Sequence, residues 1–274
     1  MIDFVNKPCY DVYDLKNIIA LLRGPGGCPW DSEQTHESIR RNLLEEAYEA
    51  AEAIDERDAE HLREELGDVL IQIAFHADIE EEAGRFALDD IADAACKKLI
   101  RRHPHVFGDA HAADSGEVLA NWDMIKREEK NIDMTSDAMR AVARSLPALW
   151  RAEKLQKKAA KVGFDFPDCA GAMESLRDEM RELDEAAAGV GCGGEAGELR
   201  DRVAWELGDL MFSAVNVARF FDVDPEQALW AACDKFVSRF ERVERAAAEQ
   251  GRHLDDMSID EMDVLYRQAK LREL

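Results

Sequence analysis

The chain has 274 residues, 46% of them hydrophobic and 34% charged, and a formal net charge of −24. That length holds one large or two ordinary domains. So much acid excludes stable binding of nucleic acid or anionic lipid through a basic surface, but not of a small anionic substrate whose charge a bound cation offsets. Only 16 Gly and 7 Pro, beside plentiful Ala, Leu, Glu and Arg, favour helix over sheet. The six cysteines (Cys9, Cys28, Cys96, Cys169, Cys192 and Cys233) lack CxxC spacing, and read as free thiols of a reducing compartment. No basic leader followed by an apolar core opens the chain, and no apolar run approaches the roughly 20 residues that span a bilayer. A soluble, cytoplasmic protein is expected.

In chain order, Val12, Leu15, Ile18, Ile19 and Leu22 recur at helical spacing, and Gly24–Gly27 stops that helix. Asp31, after Cys28–Pro29–Trp30, is placed to cap the next turn. Helices are expected over 39–53, 60–83, 88–101 and 115–130, the last with Asp114 as its N-cap. In the 60–83 helix a polar stripe of Glu65, Asp68, Gln72 and His76 runs through an otherwise apolar segment, so it faces a site or a partner helix. Residues 131–145 read as a linker between an amino-terminal domain, 1–130, and a carboxyl-terminal one, 146–274.

Then the plan restarts. Helices are expected over 146–161, opened by Pro147, and over 173–188, 198–221, 225–245 and 258–270, with a Gly-rich loop at Gly189–Gly197. Trp205–Glu206–Leu207–Gly208–Asp209–Leu210 nearly copies Glu64–Glu65–Leu66–Gly67–Asp68–Val69. Asp31 and Asp168 are 137 residues apart, as are Lys98 and Lys235, and Arg102 and Arg239. Glu49 and Glu182 differ by 133, Asp68 and Asp209 by 141, Trp122 and Tyr266 by 144, and Lys126 and Lys270 by 144. Drift confined to loops is what a tandem duplication shows. The expected fold is all-α, two helical bundles in tandem.

The chemistry gathers on Glu45, Glu46 and Glu49, and on Glu65 and Asp68. Residues three or four apart share a helix face, and a short turn near 55–58 makes the two helices antiparallel neighbours. Carboxylates so crowded and partly buried either take up protons or bind a cation. An oxygen-only donor set suits Mg²⁺ or Mn²⁺ rather than Zn²⁺. The alternative is a solvated acidic face, as at Glu80–Glu82. Lys98 with Arg102, and Lys235 with Arg239, can meet phosphate or merely complement a helix end. Trp122 and Tyr266 can stack on a base, or cap a core, one turn before Lys126 and Lys270. Cys28 has no nearby His to act as its base, so it is no nucleophile. A di-iron bundle would need two Glu-x-x-His pairs on long helices, whereas Glu33–His36 stands alone beside Pro29.

The phrases GCPWDSEQT, LEEAYE, EELGDVL, RRHPHVF, RSLPALWRAEKLQKKAAKVGFDF, ELGDLMF and KFVSRFERVE resemble the all-α nucleoside triphosphate pyrophosphohydrolases, the two-domain MazG type in particular. The resemblance implies Mg²⁺-dependent hydrolysis of nucleoside triphosphates to the monophosphate and pyrophosphate by a homodimer. It implies metal ligands at Glu179, Glu182, Glu206 and Asp209, triphosphate contacts from Lys235, Arg239 and Lys270, and Tyr266 near the base. Glu46, Glu49, Glu65, Asp68, Lys98, Arg102, Trp122 and Lys126 are the amino-terminal counterparts. Glu45 and Asp178 are the general-base candidates, Asp178 standing where the motif expects Glu. A narrower dUTP or phosphoribosyl-ATP hydrolase, or a non-catalytic acidic scaffold, are the other readings.

Overall fold

The computed structural model describes residues 4–111, 114–129, 134–188 and 196–271, and among them every regular element is a helix. The chain divides into two compact units, residues 1–126 and 127–274. Unit 1 contains α1 (Val12–Arg23), α2 (Pro29–Ser32), α3 (His36–Glu56), α4 (Ala59–Glu82), α5 (Leu88–Arg102) and α6 (Pro104–Phe107). Helix α7 (Ser115–Glu129) reaches the boundary between the units. Unit 2 contains α8 (Thr135–Arg140), α9 (Ala148–Ala160), α10 (Cys169–Ala188), α11 (Ala196–Phe220), α12 (Pro225–Glu249) and α13 (Ile259–Leu271), with a 3₁₀ turn at Leu254–Asp256.

Local chemistry sets the helix ends of unit 1. Asp11 caps α1 by accepting from the backbone N–H of Tyr13 and Asp14, each at 2.9 Å. Gly27 passes so near the end of α1 that a Cβ there would lie 2.3 Å from the carbonyl oxygens of Leu21 and Leu22. Asp31 is not a cap: it lies inside α2, and Thr35 caps α3 in a reciprocal box with Ser38. That cap starts α3 three residues before the expected Ile39. Arg57, in the left-handed region at φ 59°, and Asp58, which accepts from Glu60 and His61, make the tight turn between α3 and α4. So short a connection returns α4 antiparallel along α3. Asp114 caps α7 as expected, accepting from Glu117 N–H at 2.9 Å.

Helix α1 lies on α4, and its Ile19 joins Ile39, Ala74 and Phe75 in the unit-1 core, with Ile71 packed against them. Burying a side chain of that size stabilises a fold by about 1.5–3 kcal/mol. Arg23, at the carboxyl end of α1, reaches across to α4, where its Nε–H donates to Asp78 at 2.7 Å and an Nη to Glu82 at 2.7 Å. It also donates to the carbonyls of Asp31 and Gln34, tying down the segment that leads into α3.

In unit 2, α10 packs along α11, and α9 lies against α11 and α12. A separate core of Val243, Ala247, Met257 and Leu265 fastens α12 to α13. Asp224 caps α12 through Glu226 and Gln227 and accepts the indole N–H of Trp150 at 2.9 Å, which anchors α9. Residues 131–145, read as a linker, include α8, which packs on α9. Most of the Gly-rich loop, with Cys192, lies outside the described residues.

Candidate functional site

Carboxylates converge in both units. In unit 1 Glu46 and Glu49 from α3 meet Glu65 from α4, one oxygen of each lying within 4.8 Å of the others. Burial first, then the charges of Asp68, Glu49, Glu65 and Glu45, push the Glu46 carboxyl above its usual range. The same forces raise Glu65: burial, then Glu49, with His61 opposing. Its Oε1 sits 3.2 Å from His61 Nε2, while its Oε2 is buried without a partner. In unit 2 Glu179 from α10 meets Glu206 and Asp209 from α11, again within 4.8 Å. Burial, then Glu182, Asp209, Glu206 and Asp178, raise Glu179. Thus Asp68 and Glu182 stand close enough to act on the clusters by charge. The general-base candidates border them, each held by an arginine of its own helix: Glu45 by Arg41 at 2.7 Å, and Asp178 by Arg181.

The donor set of each cluster is oxygen only. The buried, unpartnered Glu65 oxygen of unit 1, and carboxyls raised in both units by burial and then by their neighbours' charge, would suit a hard divalent cation. The Glu33–His36 pair does not compete, since Glu33 ends α2 and His36 opens α3. On α4 the polar stripe continues past the carboxylates, where Gln72 Oε1 and His76 Nε2 are buried without partners. His76 Nδ1 is 2.7 Å from His36 Nδ1, and His36 Nε2 is 2.6 Å from Glu80. Glu80 is therefore no solvated acid but the centre of a small network that Arg85 completes.

Two arginines meet aromatic rings on other helices, and Lys126 meets a ring of its own helix. The Arg102 guanidinium from α5 stands 5.9 Å from the Trp122 ring centre, and Lys126 Nζ is 5.6 Å from the same ring. Arg239 from α12 stands 6.0 Å from the Tyr266 ring of α13, which also meets Phe236 at 5.9 Å. Tyr266 packs on the α12–α13 core. Lys98, Lys235 and Lys270 project from the same helices one turn from Arg102, Arg239 and Tyr266.

Sequence reasoning missed a cavity of about 520 Å³ in unit 2, between α9, α11 and the loop of Gly163–Phe166. The available signal was Gln156, a polar residue on the apolar stripe of its helix, and it is only 6% exposed.

A family model described as the MazG nucleotide pyrophosphohydrolase domain matches residues 34–107, the segment that holds the unit-1 carboxylates. The nucleoside triphosphate pyrophosphohydrolase/pyrophosphatase MazG of Thermotoga maritima is 42% identical over 257 residues, 94% of each chain. The nucleoside triphosphate pyrophosphohydrolase of Escherichia coli K12 is 41% identical over 261 residues, covering 95% of this chain and 97% of that protein. The uncharacterized protein YabN of Bacillus subtilis is 47% identical over 258 residues, and this chain spans about half (51%) of its length. With the Thermotoga maritima and Escherichia coli proteins matched over 94% or more of each chain, the chain belongs to the MazG family of nucleotide pyrophosphohydrolases.

Proposed function

We propose that the chain hydrolyses nucleoside triphosphates of broad range to the monophosphate and pyrophosphate, with Mg²⁺ as cofactor, as a cytoplasmic homodimer. The observation behind this reading is the pair of converged carboxylate clusters, each built from two helices, with Glu46 and Glu179 raised by burial and then by neighbouring charge. Glu179, Glu182, Glu206 and Asp209 would hold the metal in unit 2, and Glu46, Glu49, Glu65 and Asp68 in unit 1. A divalent ion bound there neutralises phosphate oxygens and lowers the pKa of water.

The remaining work falls to protein groups. Lys235, Arg239 and Lys270 in unit 2, and Lys98, Arg102 and Lys126 in unit 1, bind phosphate oxygens, the arginines as forks and the lysines as point charges. Tyr266 and Trp122, beside the Arg239 and Arg102 guanidinium groups, stack on the base. Asp178, or Glu45 in unit 1, accepts the proton of a water that adds to the α-phosphorus. The bond from that phosphorus to the bridging oxygen breaks, and pyrophosphate leaves.

Two further points support the reading. Large apolar residues stand exposed beside the carboxylates, Leu66 at 54%, Trp205 at 75% and Met211 at 52%, a surface that a second copy would cover. The order of elements also repeats: a helix, a carboxylate hairpin, then a helix with Lys and Arg, as diverged copies of one domain would have. Pyrophosphate release from a panel of nucleoside triphosphates with and without Mg²⁺ tests the proposal. An inert wild-type chain would overturn it.

A further inference from the structure

The two carboxylate oxygens of Glu65 have different surroundings. Oε1 lies 3.2 Å from Nε2 of His61, one turn earlier on α4, whereas Oε2 is buried with no partner. The residue keeps only 8% of its surface, so bulk water does little to orient it. A buried acceptor left in that state is costly until something electropositive reaches it.

The turn that makes the α3–α4 hairpin also places His61. It is the third residue of α4, and its backbone N–H donates to the Asp58 cap at 3.1 Å. Helical side chains lean toward the amino terminus, so Glu65, four residues later, reaches back to the ring. The other ring nitrogen, Nδ1, is 3.7 Å from a carboxylate oxygen of Glu56, the last residue of α3. The imidazole thus has an acid from each arm of the hairpin on its two sides.

His61 is neither a ligand nor a core residue. Among the described residues, the atoms of unit 1 that converge within 4.8 Å come from Glu46, Glu49 and Glu65. More than a third of the His61 side chain (37%) is exposed, so packing does not account for its place. Its contact with Glu65 is polar. An ionised carboxylate only accepts, and a bare ring nitrogen at 3.2 Å would set lone pair against lone pair, so Nε2 carries the proton. A carboxylate held at one oxygen has the direction of the other fixed. At the offset of 141 residues that relates Asp68 to Asp209, Glu65 matches Glu206 and His61 matches Arg202. Both copies therefore keep a residue with an N–H donor one turn before that glutamate.

We infer that His61 is a positioning residue of unit 1, its Nε2–H holding Glu65 Oε1 so that Oε2 faces the divalent ion. This rests on the reading of the carboxylate clusters as metal sites. The ring touches neither metal nor substrate, and acts through Glu65 alone.

The test uses the full chain with Glu206→Gln as parent, which takes a ligand from unit 2 so that unit 1 is read. His61→Leu and His61→Gln are added to it singly. Leucine fills the space of the ring without a donor, and glutamine returns an amide N–H to the place of Nε2. Titration with Mn²⁺ alone, followed by the electron paramagnetic resonance signal of the free ion, gives the affinity. His61→Leu should bind roughly tenfold to a hundredfold more weakly, the usual cost of losing an outer partner of a metal ligand. His61→Gln should bind as the parent does. Unchanged or tighter binding by the leucine variant overturns the positioning role and leaves the metal site standing. Equal loss in both variants also overturns it, since the donor would not be what matters. A parent that binds no Mn²⁺ overturns the role and the unit-1 metal site together, whereas pyrophosphate release by wild type judges the hydrolase separately.

Discussion

Arg23 Nε–H donates to Asp78 at 2.7 Å where the two side chains keep only 4% and 8% of their surface. Burial still outweighs the guanidinium and raises the Asp78 carboxyl above its usual range. Removing one partner would leave the other charge buried. Asp78→Ala is expected to lower stability by about 3–5 kcal/mol, the range for a broken buried pair. The double replacement Arg23→Met, Asp78→Leu should lose less, because no charge stays stranded. Urea unfolding of the three proteins checks this, and equal losses would refute it.

Acid should weaken the fold through Glu80. The Arg85 guanidinium, working against burial and aided by His36, holds its carboxyl at about 2 instead of the ordinary 4.5. A depressed carboxyl adds stability that is complete above the ordinary value and is lost as pH falls toward about 2. Arg85→Met should therefore flatten the decline of the urea midpoint between pH 5 and pH 3. An identical slope in the variant would remove Glu80 from that decline.

The carboxylate clusters should respond to metal. Mg²⁺ is expected to raise the melting temperature of wild type by stabilising the folded state that binds it. Glu206→Gln should remove the unit-2 share of that rise and slow pyrophosphate release by roughly a hundredfold or more, an effect typical of losing an electrostatic contact in the transition state. Differential scanning fluorimetry with a Mg²⁺ titration gives the first readout. Full activity in the Glu206→Gln, Glu65→Gln double variant would refute the ligand assignment.

Trp205 bears on assembly. It adjoins Glu206 and is 75% exposed, more than a soluble surface gains from a ring of that size. If a second copy covers it, Trp205→Glu should weaken self-association by roughly thirtyfold or more, as loss of an aromatic anchor does. Sedimentation velocity across a concentration series reads the outcome. A wild-type chain that sediments as a monomer throughout would refute the homodimer.

Carboxylate convergence was legible in the sequence because two local rules were enough for it. Spacings of three and four align Glu46 with Glu49 and Glu65 with Asp68, and a tight turn at Arg57–Asp58 brings α3 back along α4. Asp31 misled because an acid beside a proline reads as a cap, whereas Pro29 starts its own short helix and Thr35 takes the cap of α3. Helix α8 hides in a polar stretch, since its single buried residue, Ala138, leaves almost no periodic signal. The cavity was not legible. A hole is a difference between volumes supplied by α9, α11 and a loop, and no one segment records it.

The ion pairs that join these helices carry opposite signs in the two units. Position 219 of α11, which matches Asp78 of α4, is Arg, and its acid is Asp165 beyond the end of α9. In a chain with two helical units, a helix of one can dock into the other during folding. If α1 settled on α11, Arg23 would confront Arg219 with no acid between them; if α9 settled on α4, Asp165 would approach Asp78. Either mismatch would set like charges face to face, so the reversed signs would disfavour a helix docked in the wrong half.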